Sequence, residues 1–269
     1  MKKLKIFFTV VALLFSFESY AQCTFRNTAF EPGEQLSYNL YYNWKFVWIK
    51  AGSATLNTVS SRFAGKPTYK ASLITRTNSK LDRYFVMRDT ILCHASLKME
   101  PLYYRKAARE GKRYYIDEVF YSYPNYNCHV KQHRVKANGD VKWKQVTYNQ
   151  CQFDMLNIFL RARSFNPKGW KKGHVVGFPI ISGNDSKPAM LKYRGIVNVK
   201  ADNGHRYRCL QLSYMEKEDG DYKRIVDFYI TDDTNHVPIR LDMFLRFGVA
   251  KAYLTSMKGL RNDVGSLVK

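Results

Sequence analysis

From Glu34 to Asn43 the chain alternates residue by residue. Leu36, Tyr38, Leu40 and Tyr42 fall on one face, and Gln35, Ser37, Asn39 and Asn43 fall on the other. A period of two belongs to a strand with one face buried. Segments of this kind recur at Ser53–Val59, Thr68–Arg76, Thr90–Leu97, Leu102–Arg109, Arg113–Tyr121, Asn127–Lys136 and Val141–Tyr148. They resume at Met190–Lys200, Arg206–Met215, Arg224–Thr231, Val237–Phe247 and Val249–Met257. Turn formers separate them, among them Gly65-Lys66-Pro67, Glu110-Gly111, Pro124-Asn125 and Asn138-Gly139-Asp140. Short strands joined by tight turns make an antiparallel meander.

One stretch breaks the pattern. Cys151 to Arg163 reads as a helix that Asp154 can N-cap and that Arg161 and Arg163 end, with Pro167 barring continuation. Asp154, Asn157 and Arg161 share a narrow polar stripe, while Met155, Leu156, Ile158, Phe159 and Leu160 cover most of the remaining circumference. A helix so broadly apolar is buried on several sides. The expected fold is therefore mainly β: a large antiparallel barrel or half-barrel of about a dozen strands with one central buried helix. A β-sandwich capped by the helix is the alternative. Residues 22–269 read as a single mostly-β domain, with two halves joined through 151–189. Phe165 to Ala189, rich in Gly, Pro, Lys and Ser, serves as the connection. Gly52 allows a bend or close packing, Ser79 to Met87 reads as a short helix, and the tail after Gly259 is expected to fray.

The N-terminus has the form of an export signal. Lys2, Lys3 and Lys5 precede an apolar run from Ile6 to Phe17, too short to span a bilayer comfortably, and Ser19-Tyr20-Ala21 supplies a cleavage site. Residues 1–21 are thus expected to be removed, which places the protein in the periplasm or outside the cell. Cys23 raises the question of a lipoprotein, but Gln22 fits poorly before a lipidated cysteine. The formal charge is +22, or +20 without the leader. Such an excess attracts polyanions over roughly a Debye length, ~8–10 Å. For an exported protein these are lipid headgroups, lipopolysaccharide and acidic glycans rather than nucleic acid, and contact with a membrane surface fits the same charge. Five cysteines follow the leader: Cys23, Cys93, Cys128, Cys151 and Cys209. Export permits disulfides, an odd count leaves one thiol over, and Cys128 with Cys151 is the favoured pair. No C-x-x-C spacing supports redox exchange.

No linear motif names a reaction. The sequence has no G-x-S-x-G elbow, H-E-x-x-H, Walker loop or G-x-G-x-x-G, and no cofactor is implied. Ser182-Gly183-Asn184-Asp185-Ser186 reads as a turn. His129 with His133, and His205 with Cys209, would share a strand face. Four residues of strand span ~13 Å, however, too far for one metal ion. Asp232 and Asp233 form a carboxylate pair, but their setting is that of a turn. Basic and aromatic residues interleave around Tyr104-Arg105, Arg113 with Tyr115, and Arg206 with Arg208. Such mixtures stack on sugars and pair with phosphates, and they also describe barrel strands whose cations snorkel outward. These six are the candidate binding residues.

Phe30-x-x-Gly33-Glu34-x-Leu36-x-Tyr38 followed by Ala51-Gly52-x-Ala54 resembles the opening of domain of unknown function 3108, a family of exported bacterial proteins. Asp89 before Glu100-Pro101, Asp154-x-Leu156 before an arginine-ended helix, Asp233 with Pro238 and Arg240, and Gly248 with Leu254 are similar to later parts of that family. The Trp44-to-Trp48 segment and the cysteines depart from it. The resemblance implies an envelope location and a mostly-β fold, and transfers no catalytic residue. The expected function is non-enzymatic binding or delivery of an anionic lipid or glycan. The alternatives are a structural assembly partner in the envelope, or a carboxylate-dependent enzyme acting on an envelope polymer through Asp232 or Asp233.

Overall fold

The computed structural model describes residues 23–44, 47–83, 86–183, 185–245 and 248–269. The expected leader and its cleavage site lie outside these residues. Eight strands run up and down in succession: β1 (Gln35–Trp44), β2 (Val47–Phe63), β3 (Lys66–Thr77), β4 (Met87–Ser96), β5 (Pro101–Glu110), β6 (Arg113–Ser122), β7 (Cys128–Lys136) and β8 (Val141–Tyr148). The helix α1 (Met155–Ala162) follows. Six more strands return: β9 (Val175–Ser182), β10 (Asp185–Lys200), β11 (Arg206–Glu218), β12 (Asp221–Thr231), β13 (Pro238–Leu245) and β14 (Gly248–Lys258), with a short β15 (Leu267–Val268) at the end.

All belong to one antiparallel sheet in the order 8-7-6-5-4-3-2-1-14-13-12-11-10-9, with β15 beside β11. The two meanders meet through β1 and β14, where Gln35 pairs with Lys258 and Leu40 with Ala252. The sheet is barrel-like but not closed by strand pairing, because β8 and β9 are its edges. Near that seam one parallel bridge joins Phe153 to Ile180, and Lys144 reaches Asp185 at 2.8 Å. Gly52 has the close packing expected of it, since a Cβ there would stand 2.1 Å from the Arg76 carbonyl oxygen.

The seam is where α1 sits. Asp154 caps it, accepting from the Leu156 and Asn157 backbone N–H groups at 3.1 and 2.9 Å. Leu156 and Leu160 join the main core with Ile91, Cys93, Tyr104 and Val130. Ile158 joins a second cluster with Ile180, Leu191, Leu212 and Tyr214. The helix thus fills the space between the halves. Its polar stripe is engaged as well: Asp154 and Asn157 are buried, where Tyr121 donates to Asp154 at 3.0 Å and Asn157 donates to it at 2.6 Å, and half-buried Arg161 donates to the Cys23 carbonyl. Met155, read as apolar cover, is the residue left exposed, at 43%.

Four expectations need correction. Cys151 bonds Cys23, not Cys128, with the Cα atoms 5.4 Å apart. Cys128 faces the core from β7, and Cys93, Cys128 and Cys209 are buried free thiols. Local sequence separation favoured Cys128, but the N-terminal segment folds back to the start of the helix. The tail after Gly259 is held rather than frayed: Asn235 donates to the Asn262 and Asp263 carbonyls, Arg261 donates to Asn27, and β15 pairs with β11. Finally, β9 (Val175–Ser182) and the start of β10 from Asp185 to Ala189 are strand rather than connection, and Ser79–Leu81 forms only a 3-10 turn; Tyr84 and Phe85 of the short helix expected there lie outside the described residues.

Candidate functional site

The β10–β11 hairpin is longer than its neighbours and does not stay in the plane of the sheet. At Gly195, whose φ of +122° falls in the range that favours glycine, the β10–β11 register shifts. Beyond the shift, the Val199, Ala201, Tyr207 and Cys209 side chains are buried in the main core. The hairpin end is fastened to the rest of the sheet. The Asp202 N–H donates to the Leu254 carbonyl at 2.9 Å, and the Asp202 carboxylate accepts from Asn39 and from the Tyr41 hydroxyl, each at 2.7 Å.

Between the hairpin and strands β12 to β14 lies a cleft of about 530 Å³ lined by Lys200, Asp202, Gln211, Tyr229, Arg240 and Tyr253, among others. A smaller neighbour of about 170 Å³ adds Tyr41, Trp48 and Lys251 and shares Asp202 and Tyr253 with it. The two adjoin as one groove. Its aromatic faces are set by neighbouring charges. The Arg240 guanidinium lies 4.7 Å from the Tyr229 ring centre and 5.6 Å from that of Tyr253, and the Lys251 amine is 4.4 Å from the Trp48 ring. Tyr41 meets Tyr253 edge to face at 5.7 Å. Asp242 fixes Arg240 from below, and Asp227 accepts from Gln211 at 2.9 Å. The hydrogen bond to Asp202 raises the pKa of Tyr41, so its phenol stays a neutral donor.

The six residues singled out from sequence are not brought together. Tyr104 faces inward and is buried, whereas its neighbour Arg105 faces outward, 3.8 Å from Glu118. Consecutive strand residues point to opposite faces, so an adjacent Tyr-Arg pair cannot form one patch. Arg113 is exposed beside the β5–β6 turn. Tyr115 faces inward and donates to Glu110 at 3.2 Å. Arg206 and Arg208 lie on β11 in the other half, and Arg208 pairs with Asp232 at 2.7 Å. Asp233 accepts from Thr231 and from the Asn235 N–H, as a turn residue does. His129 contacts Thr147 and Gln145, and His133 contacts Glu118. Among the described residues no three His, Cys, Asp or Glu side chains stand together as a metal site requires.

The groove itself was missed. One signal for it was present: Tyr41 falls on the polar face of β1, where an outward aromatic has no core to fill. The hairpin that completes the groove left no such trace.

Several of the residues carrying the family resemblance meet in the interior. Arg163, at the C-terminal end of α1, binds Glu34 with both terminal nitrogens and donates to the Asn235 carbonyl. Tyr38 donates to the Pro238 carbonyl at 3.0 Å, and Asp154 caps the helix. These contacts hold the two halves and α1 together.

Comparison with known proteins agrees with this architecture. No curated protein matches the sequence. The chain is similar in structure to a β-barrel-like protein of domain of unknown function DUF1849 from Brucella abortus. The TM-score is 0.51 at 9% identity, covering 91% of this chain and 99% of that one, a likeness of fold alone. A family model described as protein of unknown function (DUF3108) matches residues 37–255, most of the chain from β1 to β14. The chain therefore belongs to the DUF3108 family.

Proposed function

We propose that the protein is a non-enzymatic binding protein of the cell envelope and that its outer groove receives an acidic saccharide, either free or as the headgroup of a lipid. The observation that carries this reading is the groove's lining. Four rings (Tyr41, Trp48, Tyr229 and Tyr253) line the groove, Lys200 and Lys251 supply positive charge, Arg240 is paired with Asp242, and the Asp202 carboxylate is taken up by Asn39 and Tyr41. Aromatic faces suit the apolar faces of sugar rings, and fixed cations beside them suit carboxylates or phosphates. Acyl chains are poorly served, because the interior beside the seam is filled by Leu156, Ile158 and Leu160.

An envelope location is part of the proposal. It is supported by the form of residues 1–21 and by the Cys23–Cys151 bond, which belongs to an oxidising compartment. A sulfur committed to Cys151 is also not free to carry a lipid. The enzyme reading has weaker support, since Asp232 is engaged by Arg208 and Asp233 by its own turn.

The test is titration of the purified protein with an oligogalacturonide, with maltotetraose as the neutral control. Saturable binding of the acidic chain that weakens steeply with salt, and that is lost in both Trp48→Ala and Lys251→Ala, is the expected result. Equal binding of the neutral chain removes the anionic requirement. Undiminished binding in both variants moves the site elsewhere.

A further inference from the structure

The up-and-down order of the sheet gathers alternate turns at one end. The β1–β2, β3–β4, β5–β6, β7–β8 and β13–β14 hairpins all turn there, since Tyr42 near the end of β1 pairs with Ala250 near the start of β14. One of these tips stands clear of its neighbour. β3 accompanies β2 only as far as Lys50, whose carbonyl accepts from the Asn78 side-chain amide at 2.9 Å. Val47 to Ile49 therefore project past β3 by ~10 Å at the rise of a strand. The β13–β14 tip lies beside them, because β14 is the other neighbour of β1.

The side chains on these two tips reverse the usual rule for strands. Val47 pairs with Trp44 and Leu245 with Gly248, which continues the core-facing register of Leu40, Ala252 and Leu241. Yet no core reaches that far, and Val47 is 62% and Leu245 52% exposed. The other turns at this end use Glu110-Gly111-Lys112, Asn138-Gly139 and Asp219-Gly220, the ordinary chemistry of tight turns. Two adjacent apolar tips serve neither core packing nor turn formation, and apolar groups exposed together mark an interaction surface.

Around them the same end is basic. Lys50, Lys80, Lys112, Arg113 and Lys142 are exposed, and among the described residues none pairs with a carboxylate. The carboxylates of these turns are engaged by other cations: Asp82 by Arg88 at 2.5 Å, Glu110 by Lys106 at 3.2 Å, and Asp140 by Lys136 at 3.6 Å. Exposed Tyr114 and Val141 stand next in sequence to Arg113 and Lys142, so apolar groups beside cations recur along the rim. The acidic β11–β12 turn is the exception. There Lys223 pairs with Glu218 at 3.0 Å and Asp219 at 3.6 Å, which leaves Asp221 unpaired.

We infer that this end of the sheet docks on an anionic lipid bilayer, with Val47 and Leu245 entering the interfacial layer and Lys50, Lys112 and Arg113 meeting the phosphate headgroups. Burial of the tips removes apolar area from water, and each cation near the surface adds an attraction that salt screens. A second copy of the chain fits worse, because it would set the same cations against each other. The docking surface does not depend on the saccharide reading. Trp48, on the other face of the β1–β2 tip, lines the groove, so docking brings the groove next to the headgroups.

The experiment is flotation of the purified protein with phosphatidylcholine vesicles, with and without phosphatidylglycerol, at low and high salt. It compares wild type with Val47→Ser plus Leu245→Ser, with Lys112→Glu plus Arg113→Glu, and with the groove variant Lys251→Ala. The expected result is binding that requires phosphatidylglycerol, falls with salt, and weakens about tenfold or more in each double variant. Melting curves of both doubles should match wild type, since all four positions are exposed. Equal binding to vesicles lacking phosphatidylglycerol, or binding to neither, overturns the proposal. So does undiminished binding in either double variant. Binding that is lost in Lys251→Ala but survives in both doubles assigns the lipid to the groove and likewise overturns docking through the tips. Failure of the groove to take oligogalacturonide changes none of these outcomes, so the two readings fall separately.

Discussion

Arg163 and Glu34 form a two-pronged ion pair inside the protein, Nη1 to Oε1 at 2.5 Å and Nη2 to Oε2 at 2.8 Å, and each residue is 1% exposed. One comes from the end of α1 and the other from the residue before β1, so the pair ties the helix to the strand where the halves meet. Phe30 covers the guanidinium, whose centre is 5.5 Å from that ring, and the two bonds to the Asn235 carbonyl engage it further. Removing one partner leaves a buried charge uncompensated. Arg163→Met and Glu34→Leu are each expected to cost about 3–5 kcal/mol in urea denaturation, with the double substitution recovering a large part of the combined loss. Additive losses would show that the pair does not act as a unit.

The disulfide closes a long loop, with 128 positions separating Cys23 from Cys151. Chain-entropy reasoning puts its contribution near the upper end of the usual range, about 4–5 kcal/mol. Cys151→Ser is expected to lower the denaturation midpoint accordingly. Intact mass should show no alkylation of the native protein, three modified thiols after unfolding, and five after reduction. Burial raises the pKa of Cys128 to about 11 and that of Cys209 to about 12, so neither is reactive in the folded state.

Leu160 on α1 is fully buried. Leu160→Ala is expected to cost about 2–5 kcal/mol by leaving a cavity, and Leu156→Asp to prevent folding. Met155→Ala, on the exposed side, should fall within about 0.5 kcal/mol of wild type. Equal melting of all three by circular dichroism would place the helix on the surface.

Asp154 gives a pH signature. Burial raises its pKa to about 6 from the ordinary 3.8, against the hydrogen bonds from Asn157 and Tyr121. The folded state thus holds the proton more tightly than the unfolded chain. The stabilising contribution is full below about pH 4 and is lost as pH rises through 6, at most about 3 kcal/mol. Asp154→Asn keeps a capping oxygen, and the unpartnered Oδ1 of Asn157 can accept from the new amide. This variant should lose its share of the slope between pH 4 and 7 while remaining folded. His236 works in the opposite direction. Burial lowers its pKa, so its contribution is present above about pH 6.5 and is lost on acidification. Denaturation of Asp154→Asn and wild type at pH 4.5, 5.5 and 7 separates the two. An unchanged slope in the variant would remove Asp154 from the account.

Alternation made the strands legible, because each inward residue must meet a shared core. Leu36, Tyr38 and Leu40 read directly as the buried face of β1. The helix was legible from Asp154 at its start and from its broad apolar surface. Pairing partners were not. Alternation reports which face is buried and says nothing of which strand lies alongside, so the junction of β1 with β14 left no local trace. The groove was hidden for a related reason. Tyr41, Asp202, Arg240 and Tyr253 come from four separate segments and converge only after the β10–β11 hairpin bends at Gly195. Cys23 likewise finds Cys151 only once the N-terminal segment has folded back.

The adjacency of β1 and β14 also orders events in time. During synthesis the first strand appears long before its second neighbour, since Gln35 must wait for Lys258. Closing a loop of that length costs about 5 kcal/mol in chain entropy, whereas every other junction in the main strand series joins consecutive strands. The first meander can therefore zip from hairpin to hairpin and still present one bare edge, Gln35 to Tyr42, until almost the whole chain has emerged. An uncovered edge of that length is a template for pairing with other molecules. A chain cut short before Gly248 keeps that edge open, so the eleven residues of β14 are what cover it.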